Sequence, residues 1–271
     1  MMVGFVARAL LSGSAAFAIS TTGGELSPVP TSGSAGTPAA MRSVATDSMR
    51  SGRSGKLRGP LFSYLTQRPF SEKVNGRIGQ YLIGFWPGEH RRVTTGAYQN
   101  PRGFIEVTRE NQDTWISEHF RVRDFLTKGQ TGTWPKYLVL REELVDKLEL
   151  VITDLNSRDI PVRHMSVMSG FRTPEYNGPG GDGRSGMSRH MYGDAADVFV
   201  DNDRNGHMDD LNRDGKVDHR DARVILDAIE RVERRYPDLA GGVGVYRANS
   251  AHGPFAHVDV RGWRARWGLT G

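Results

Sequence analysis

The sequence predicts an α+β fold, a small antiparallel sheet flanked by helices and preceded by a short β-rich segment. Three observations carry that expectation. Two long stretches repeat apolar residues at helical spacing, four short runs rich in β-branched residues end at glycine or polar turns, and no long-period repeat is present. With 271 residues, 37% of them hydrophobic, the chain can form one substantial core and a smaller module.

The opening segment MMVGFVARALLSGSAAFAIS has one positive residue, Arg8, a short apolar stretch and the small-x-small triplet Ala16, Phe17, Ala18. That pattern predicts a secretory signal over residues 1–18, hence a periplasmic or secreted protein. Residues 19–56 are rich in Ser, Gly, Thr, Pro and Ala. Too few large apolar side chains occur there to offset the entropy of ordering, so a flexible linker is expected. Over residues 57–112 the runs GQYLIGFWPGE and GFIEV predict a small β-rich segment. Trp86 and Tyr98 within it are expected as core aromatics rather than ligand contacts.

Residues 113–271 form the main domain. In REELVDKLELVITDLNSRD, Leu144, Leu148, Val151 and Leu155 share one helical face, and Asp159-Ile160-Pro161 marks the exit. VRHMSVMSGF predicts a strand entering a glycine turn, and DAADVFV a second strand. RDARVILDAIERVERRY predicts another helix, with Val224, Ile225, Ala228, Ile229 and Val232 on one side. GGVGVY and FAHVDV close the fold as strands.

Composition excludes several classes. No cysteine is present, so disulfides, thiolate metal sites, a cysteine nucleophile and a lipid-anchored cysteine are ruled out, and a tightly held transition metal would need His and carboxylate ligands. No apolar run approaches the roughly 18–20 residues of a membrane span. The net charge is +5 and the pI is ≈ 9.6. The basic excess lies in the first 112 residues, where 13 Lys and Arg face 6 acids. Without a nucleic-acid module, a basic tail points to loose attraction toward anionic polymers, not to nucleic-acid recognition.

Two metal-ligand patterns lie close together in the main domain. In SRHMYGDAADV, His190 and Asp197 flank Gly193 and the small Ala195 and Ala196; in FAHVDVRG, His257 and Asp259 lie two apart on a predicted strand and so share a face. Two His and one carboxylate suit a three-ligand zinc site with an open fourth position, and zinc there acidifies water and polarises carbonyls, the chemistry of amide hydrolysis.

SRHMYGDAAD resembles the S-x-H-x-x-G-x-A-x-D signature of the zinc D-Ala-D-Ala carboxypeptidases and murein endopeptidases, which share a fold with the hedgehog signalling domain. Ser188, His190, Gly193, Ala195 and Asp197 carry the match, SGFRTPEYN is similar to the family's SGYR segment, and GGVGVY with FAHVDVRG is similar to its end. The resemblance implies His190, Asp197 and His257 as zinc ligands. It implies Arg172 as the group holding a substrate carboxylate or carbonyl oxygen, a task suited to the planar guanidinium fork. It also implies peptidoglycan stem peptides as the substrate class, cut by a D,D-carboxypeptidase or an endopeptidase in the bacterial cell envelope. Family members often place an acid three residues before the last His ligand; here that residue is Pro254. His252, five before His257, and Asp259 are the candidates for proton transfer, and Asp259 has the alternative of orienting His257. The lack of a clear carboxylate base also leaves a catalytically inactive cell-wall-binding module as an alternative.

The second pattern is DLNRDGKVDHRD, which sets Asp210, Asn212, Asp214, Gly215, Lys216, Asp218 and Asp221 at positions 1, 3, 5, 6, 7, 9 and 12 of an EF-hand loop, Lys216 through its carbonyl. An overlapping copy uses Asp201, Asp203, Asn205, Gly206, His207, Asp209 and Asn212. Oxygen ligands around a tight glycine turn predict structural Ca²⁺. Because the copies share residues, one ion is favoured and a second has a place. A calcium-dependent, dockerin-like interaction role is the alternative. No feature of the sequence sets the oligomeric state.

Overall fold

The computed structural model describes residues 62–90, 96–180 and 184–269, which fall in one compact unit. The expected signal over 1–18 and linker over 19–56 lie outside the described residues.

Alternating apolar residues draw the first strands into a three-stranded antiparallel sheet, in the order β1 (Gln67–Pro69), β4 (Gly103–Val107), β5 (Lys136–Leu138). Between β1 and β4 lie a two-stranded hairpin of β2 (Arg77–Ile78) and β3 (Tyr81–Leu82) and the short helix α1 (Pro87–His90). The β-rich segment expected over 57–112 is therefore completed by a strand that lies beyond residue 112. Its aromatic residues Trp86 and Phe104 belong to the same core as the main domain.

The main sheet has five strands: β6 (Met165–Ser169), β7 (Ala195–Val200), β8 (Gly242–Tyr246), β9 (Phe255–Asp259) and β10 (Ala265–Gly268), in the order β10-β8-β9-β7-β6. Three pairings are antiparallel, as expected, and β10 runs parallel to β8. The chain reverses after β9 and lands on the far side of β8, so β10 takes the direction of β8. Pleating sends Asp197, His257 and Asp259 to one face and Ala196, Val198, Ala256 and Val258 to the other, where they are fully buried.

The helices cover that apolar set. In α2 (Glu142–Asn156), Leu144, Leu148, Val151 and Leu155 are all buried, and the chain leaves the helix through Ser157 toward Pro161. A third helix, α3 (Pro174–Asn177), has Thr173 as its N-cap. The helix α4 (His219–Arg235) packs against α2, β8 and β9. It starts from a capping box in which Asp218 and Asp221 accept backbone N–H groups reciprocally. Among the described residues no helix is long and apolar enough to cross a membrane.

Candidate metal centre

Asp197 and His257 meet because β7 and β9 pair in the register that sets them directly opposite each other. His190 arrives from a single 3-10 turn, Arg189–Tyr192, that ends at Gly193 with φ +68°. A side chain at Gly193 would bring a Cβ to 2.3 Å from the Val139 carbonyl oxygen, so both the turn and its close approach require glycine. Arg189 anchors the same turn: it pairs with the buried Asp194 and lies over the rings of Tyr98 and Tyr192, at 4.8 and 4.7 Å.

The three side chains converge in a buried cluster. His257 Nδ1 is 2.9 Å from Asp197 Oδ1, His190 Nε2 is 3.3 Å from the same oxygen, and the two ring nitrogens are 3.2 Å apart. The outer nitrogen of each ring is held. His190 Nδ1 lies 2.7 Å from the Gly170 carbonyl, and His257 Nε2 lies 3.2 Å from Asp259 Oδ2. Donation to these acceptors fixes both tautomers and turns a lone pair from each ring toward Asp197 Oδ1. Three acceptors then face one another at contact distance, an arrangement that requires a cation or a proton between them.

Zinc fits that donor set. Bonds of about 2.0–2.1 Å in tetrahedral geometry place ligand atoms about 3.3–3.4 Å apart, close to the distances observed. Protonation is the competitor when metal is absent. Burial pulls the imidazole of His257 down, but the carboxylates of Asp197 and Asp259 outweigh it and raise its pKa to about 9. Burial pushes the His190 pKa down. For Asp197, burial acts upward, yet His190 and His257 beside it hold its carboxyl below the usual range.

Asp259 lies behind the centre. Its carboxylate is fully buried, bonded to His257, to the Gly242 N–H at 2.7 Å and to Arg261 Nε at 2.9 Å. Burial acts upward on it, and His257 and Arg261 hold it below the usual carboxylate range. Such a group orients His257, the alternative weighed for it in sequence, and it does not line the cavity where a substrate would lie. Beneath it, Lys147 of α2 is completely buried, donating to Glu233 Oε1 at 2.7 Å and to the Asp259 carbonyl at 2.8 Å. That contact ties β9 to both helices.

A cavity of about 640 Å³ opens onto His190, Asp197 and His257. Arg172 follows β6, donating through Nε to Ser169 Oγ at 2.8 Å and through Nη2 to Asp197 Oδ2 at 2.7 Å. His252 lies on the opposite loop and lines the same cavity without touching the cluster. Asn249 decides its tautomer. The Asn249 Oδ1 accepts the N–H groups of Ala251 and His252, at 2.8 and 3.1 Å, so its Nδ2 donates to His252 Nε2 at 2.9 Å. Nδ1 then donates to the Gly253 carbonyl at 2.8 Å, which leaves Nε2 as the basic nitrogen. Tyr246 and Trp267, which sequence reasoning missed, complete the wall. The Trp267 indole N–H donates to the Tyr246 hydroxyl at 2.7 Å, and burial pushes the Tyr246 phenol up, so it keeps its own proton for donation.

The acidic loops follow β7 directly and share one backbone design. Arg204 and Arg213 both have φ +60°, and Gly206 and Gly215 follow at +84° and +80°, values that favour glycine in the tightest part of each turn. Asp201 accepts the N–H groups of Asn205 and Gly206, and Asp210 accepts those of Asp214 and Gly215. Asn205 and Asp214 each accept the N–H two residues on, from His207 and Lys216, and Asp203 and Asn212 do likewise. The loops differ in what fills them. Asp201, Asp203 and Asp209 gather their carboxylates within 4.8 Å; among the described residues no such group forms from Asp210, Asp214, Asp218 and Asp221. Arg220 instead pairs with Asp214 and Asp218, both at 2.9 Å, and Asp221 is fully buried, taking the N–H groups of Leu211, Asn212 and Asp218. The carboxylates thus converge in the first loop, whereas the sequence pattern is fuller in the second.

No family model, curated protein or solved structure matches this chain.

Proposed function

We propose that this chain is a zinc-dependent peptidase that hydrolyses an amide bond in peptidoglycan stem peptides, outside the cytoplasm. The observation that carries this reading is the convergence of three acceptor atoms, His190 Nε2, Asp197 Oδ1 and His257 Nδ1, at 2.9–3.3 Å from one another beside an open cavity. Zinc held by these residues would supply Lewis acidity toward a carbonyl and a water of lowered pKa. Arg172, tethered to Ser169 and Asp197, presents its remaining Nη1 to a substrate carbonyl or carboxylate oxygen. His252 Nε2 exchanges its bond from Asn249 for the proton of the attacking water and returns that proton to the leaving nitrogen as the C–N bond breaks. Tyr246 can donate to the oxygen that gains charge.

The murein substrate and the hedgehog-type peptidase fold rest on the resemblance of SRHMYGDAAD, SGFR and FAHVDVRG, and they stand or fall with it. Structural calcium in the Asp201–Asp209 loop belongs to the same proposal. It would brace the end of β7, four residues beyond Asp197. A binding-only reading has one observation in its favour: among the described residues Asp197 is the single acid lining the cavity.

Mass spectrometry of purified muropeptides, monomeric and cross-linked, tests the proposal, with the protein in Ca²⁺, with and without Zn²⁺, beside His190→Ala. Loss of one alanine mass, or conversion of dimer to monomer, that needs zinc and disappears in His190→Ala is the expected result. Unchanged muropeptides with zinc bound to a folded protein would overturn hydrolysis and select the binding module.

A further inference from the structure

The turn Arg189–Tyr192 that carries His190 is held from the N-terminal segment as well as from the main domain. Its Met191 carbonyl accepts the indole N–H of Trp86 at 2.8 Å, across 105 residues of chain. Arg189 donates to the Ala97 carbonyl, and Arg141, just beyond β5, donates its N–H to the Gly193 carbonyl at 2.8 Å. The N-terminal segment thus grips the residues on both sides of His190, Arg189 and Met191.

The Trp86 ring is fully buried and packs against Phe70 and Phe104, with centroids 5.6 and 5.9 Å away. Packing alone would be served by any large aromatic residue. The N–H would not, because an indole carries one donor and no acceptor, and here that donor is committed to the carbonyl of a residue only 2% exposed. Among the described residues no other group donates to that carbonyl. An unpaired buried carbonyl costs free energy, so the turn sits where the Trp86 N–H reaches it. The bond from His190 Nδ1 to the Gly170 carbonyl sets the tautomer of the ring; the bond from Trp86 sets how far the turn brings that ring toward Asp197. Metal sites tolerate shifts of only about 0.2 Å in ligand distance, so a hold one residue away from a ligand bears on affinity.

We infer that Trp86 is a positioning residue of the metal centre: its indole N–H, acting through the Met191 carbonyl, sets the distance at which His190 meets Asp197 and His257. The N-terminal segment is then part of the centre and not an independent module. This inference rests on the zinc site of the reading above and is independent of the substrate.

Trp86→Phe keeps an aromatic ring in the core and deletes the N–H. Phe104→Leu disturbs the same core without touching the turn, and serves as the comparison. For both full-length variants and the wild type, zinc affinity is measured by competition with a chelator, stability by urea unfolding, and coordination geometry by the visible absorption of the Co²⁺-loaded protein. Trp86→Phe is expected to weaken zinc about five- to tenfold, the size of one lost hydrogen bond, and to shift the Co²⁺ absorption. Phe104→Leu is expected to lose stability while both metal readouts stay at the wild-type values. Benzothienylalanine at position 86, which replaces only the N–H by sulfur, makes the same comparison where Trp86→Phe does not fold. Wild-type affinity and spectrum without the N–H, or equal metal losses in both variants, would overturn the inference and leave Trp86 a packing residue; cutting of muropeptides by the zinc-loaded protein would then stand without it. Absence of zinc uptake by the wild type would remove the metal centre and the inference together.

Discussion

His190 and His257 are 67 residues apart and meet with Asp197 because a strand pair and a glycine-terminated turn hold them, whereas Asp201, Asp203 and Asp209 come from one loop and meet because that loop curls. In the first region the groups are buried and every outer nitrogen has a partner, so the fold meets the cost of ordering before any ion arrives. In the second, Asp203 is exposed and its bonds stay within the loop. A site held by long-range packing should keep its shape without metal and depend on each buried charge. A site held by local turns should depend on its ion and tolerate single losses.

The widest separation between the regions is expected in stability. Asp197→Ala leaves His257 and Arg172 facing a buried gap, and breaking such a pair costs about 3–5 kcal/mol; it should also abolish zinc uptake. Asp203→Ala, in calcium-free buffer, should cost no more than about 0.5 kcal/mol. Urea unfolding with metal analysis checks both, and comparable losses would erase the distinction. Next in size is Asp259→Asn. If Asp259 orients His257, the change should lower zinc affinity about 10–100-fold, measured by competition with a chelator. An unchanged affinity would leave Asp259 with no role in the centre.

Proton linkage gives a smaller effect with a definite sign. Without metal, His257 has a pKa raised to about 9, so at pH 7 it carries a proton that zinc must displace. Zinc uptake at pH 7 should release about one proton per ion, and apparent affinity should rise up to tenfold per pH unit until about pH 9 and then flatten. Calorimetry in buffers of different ionisation enthalpy reads the proton count. A count of zero at pH 7 would mean that His257 is already neutral, with its lone pair free.

Much of the first region was legible in the sequence because its residues fall in short motifs. His190 and Asp197 flank a required glycine, and His257 and Asp259 alternate on one strand. Helices α2 and α4 showed themselves by their apolar faces. What stayed hidden depends on contacts without a local pattern. Nothing in the run GWRARWG marks β10, whose direction follows from a chain reversal, or announces that Trp267 donates to Tyr246. Lys147 reads as a solvent-facing helix residue until Glu233 and the Asp259 carbonyl are brought over it. The difference between the acidic loops stayed hidden for a related reason. The pattern counts acids, and it does not register that Asp218 and Asp221 are already committed to starting α4.

That commitment makes Arg220 the sharpest probe of the loops. Its guanidinium binds Asp214 and Asp218 where the second loop would otherwise offer oxygens to a cation, while among the described residues the first loop has no such competitor at its three gathered acids. The wild-type chain should therefore take up one Ca²⁺, lost in Asp203→Ala and kept in Asp214→Ala. Arg220→Ala should admit a second, weaker ion. In calcium-free buffer that substitution should change stability by less than about 0.5 kcal/mol, because exposed ion pairs contribute little. With calcium at a hundred times the dissociation constant, each site filled should add about 2.7 kcal/mol, seen as a rise in the unfolding midpoint. Calcium titration of the four proteins by calorimetry decides the matter. Two ions in the wild type would show that Arg220 yields to calcium and that the loops are equivalent, whereas one ion in Arg220→Ala would mean that the helix-capping duty of Asp218 and Asp221, not the arginine, keeps the second loop closed.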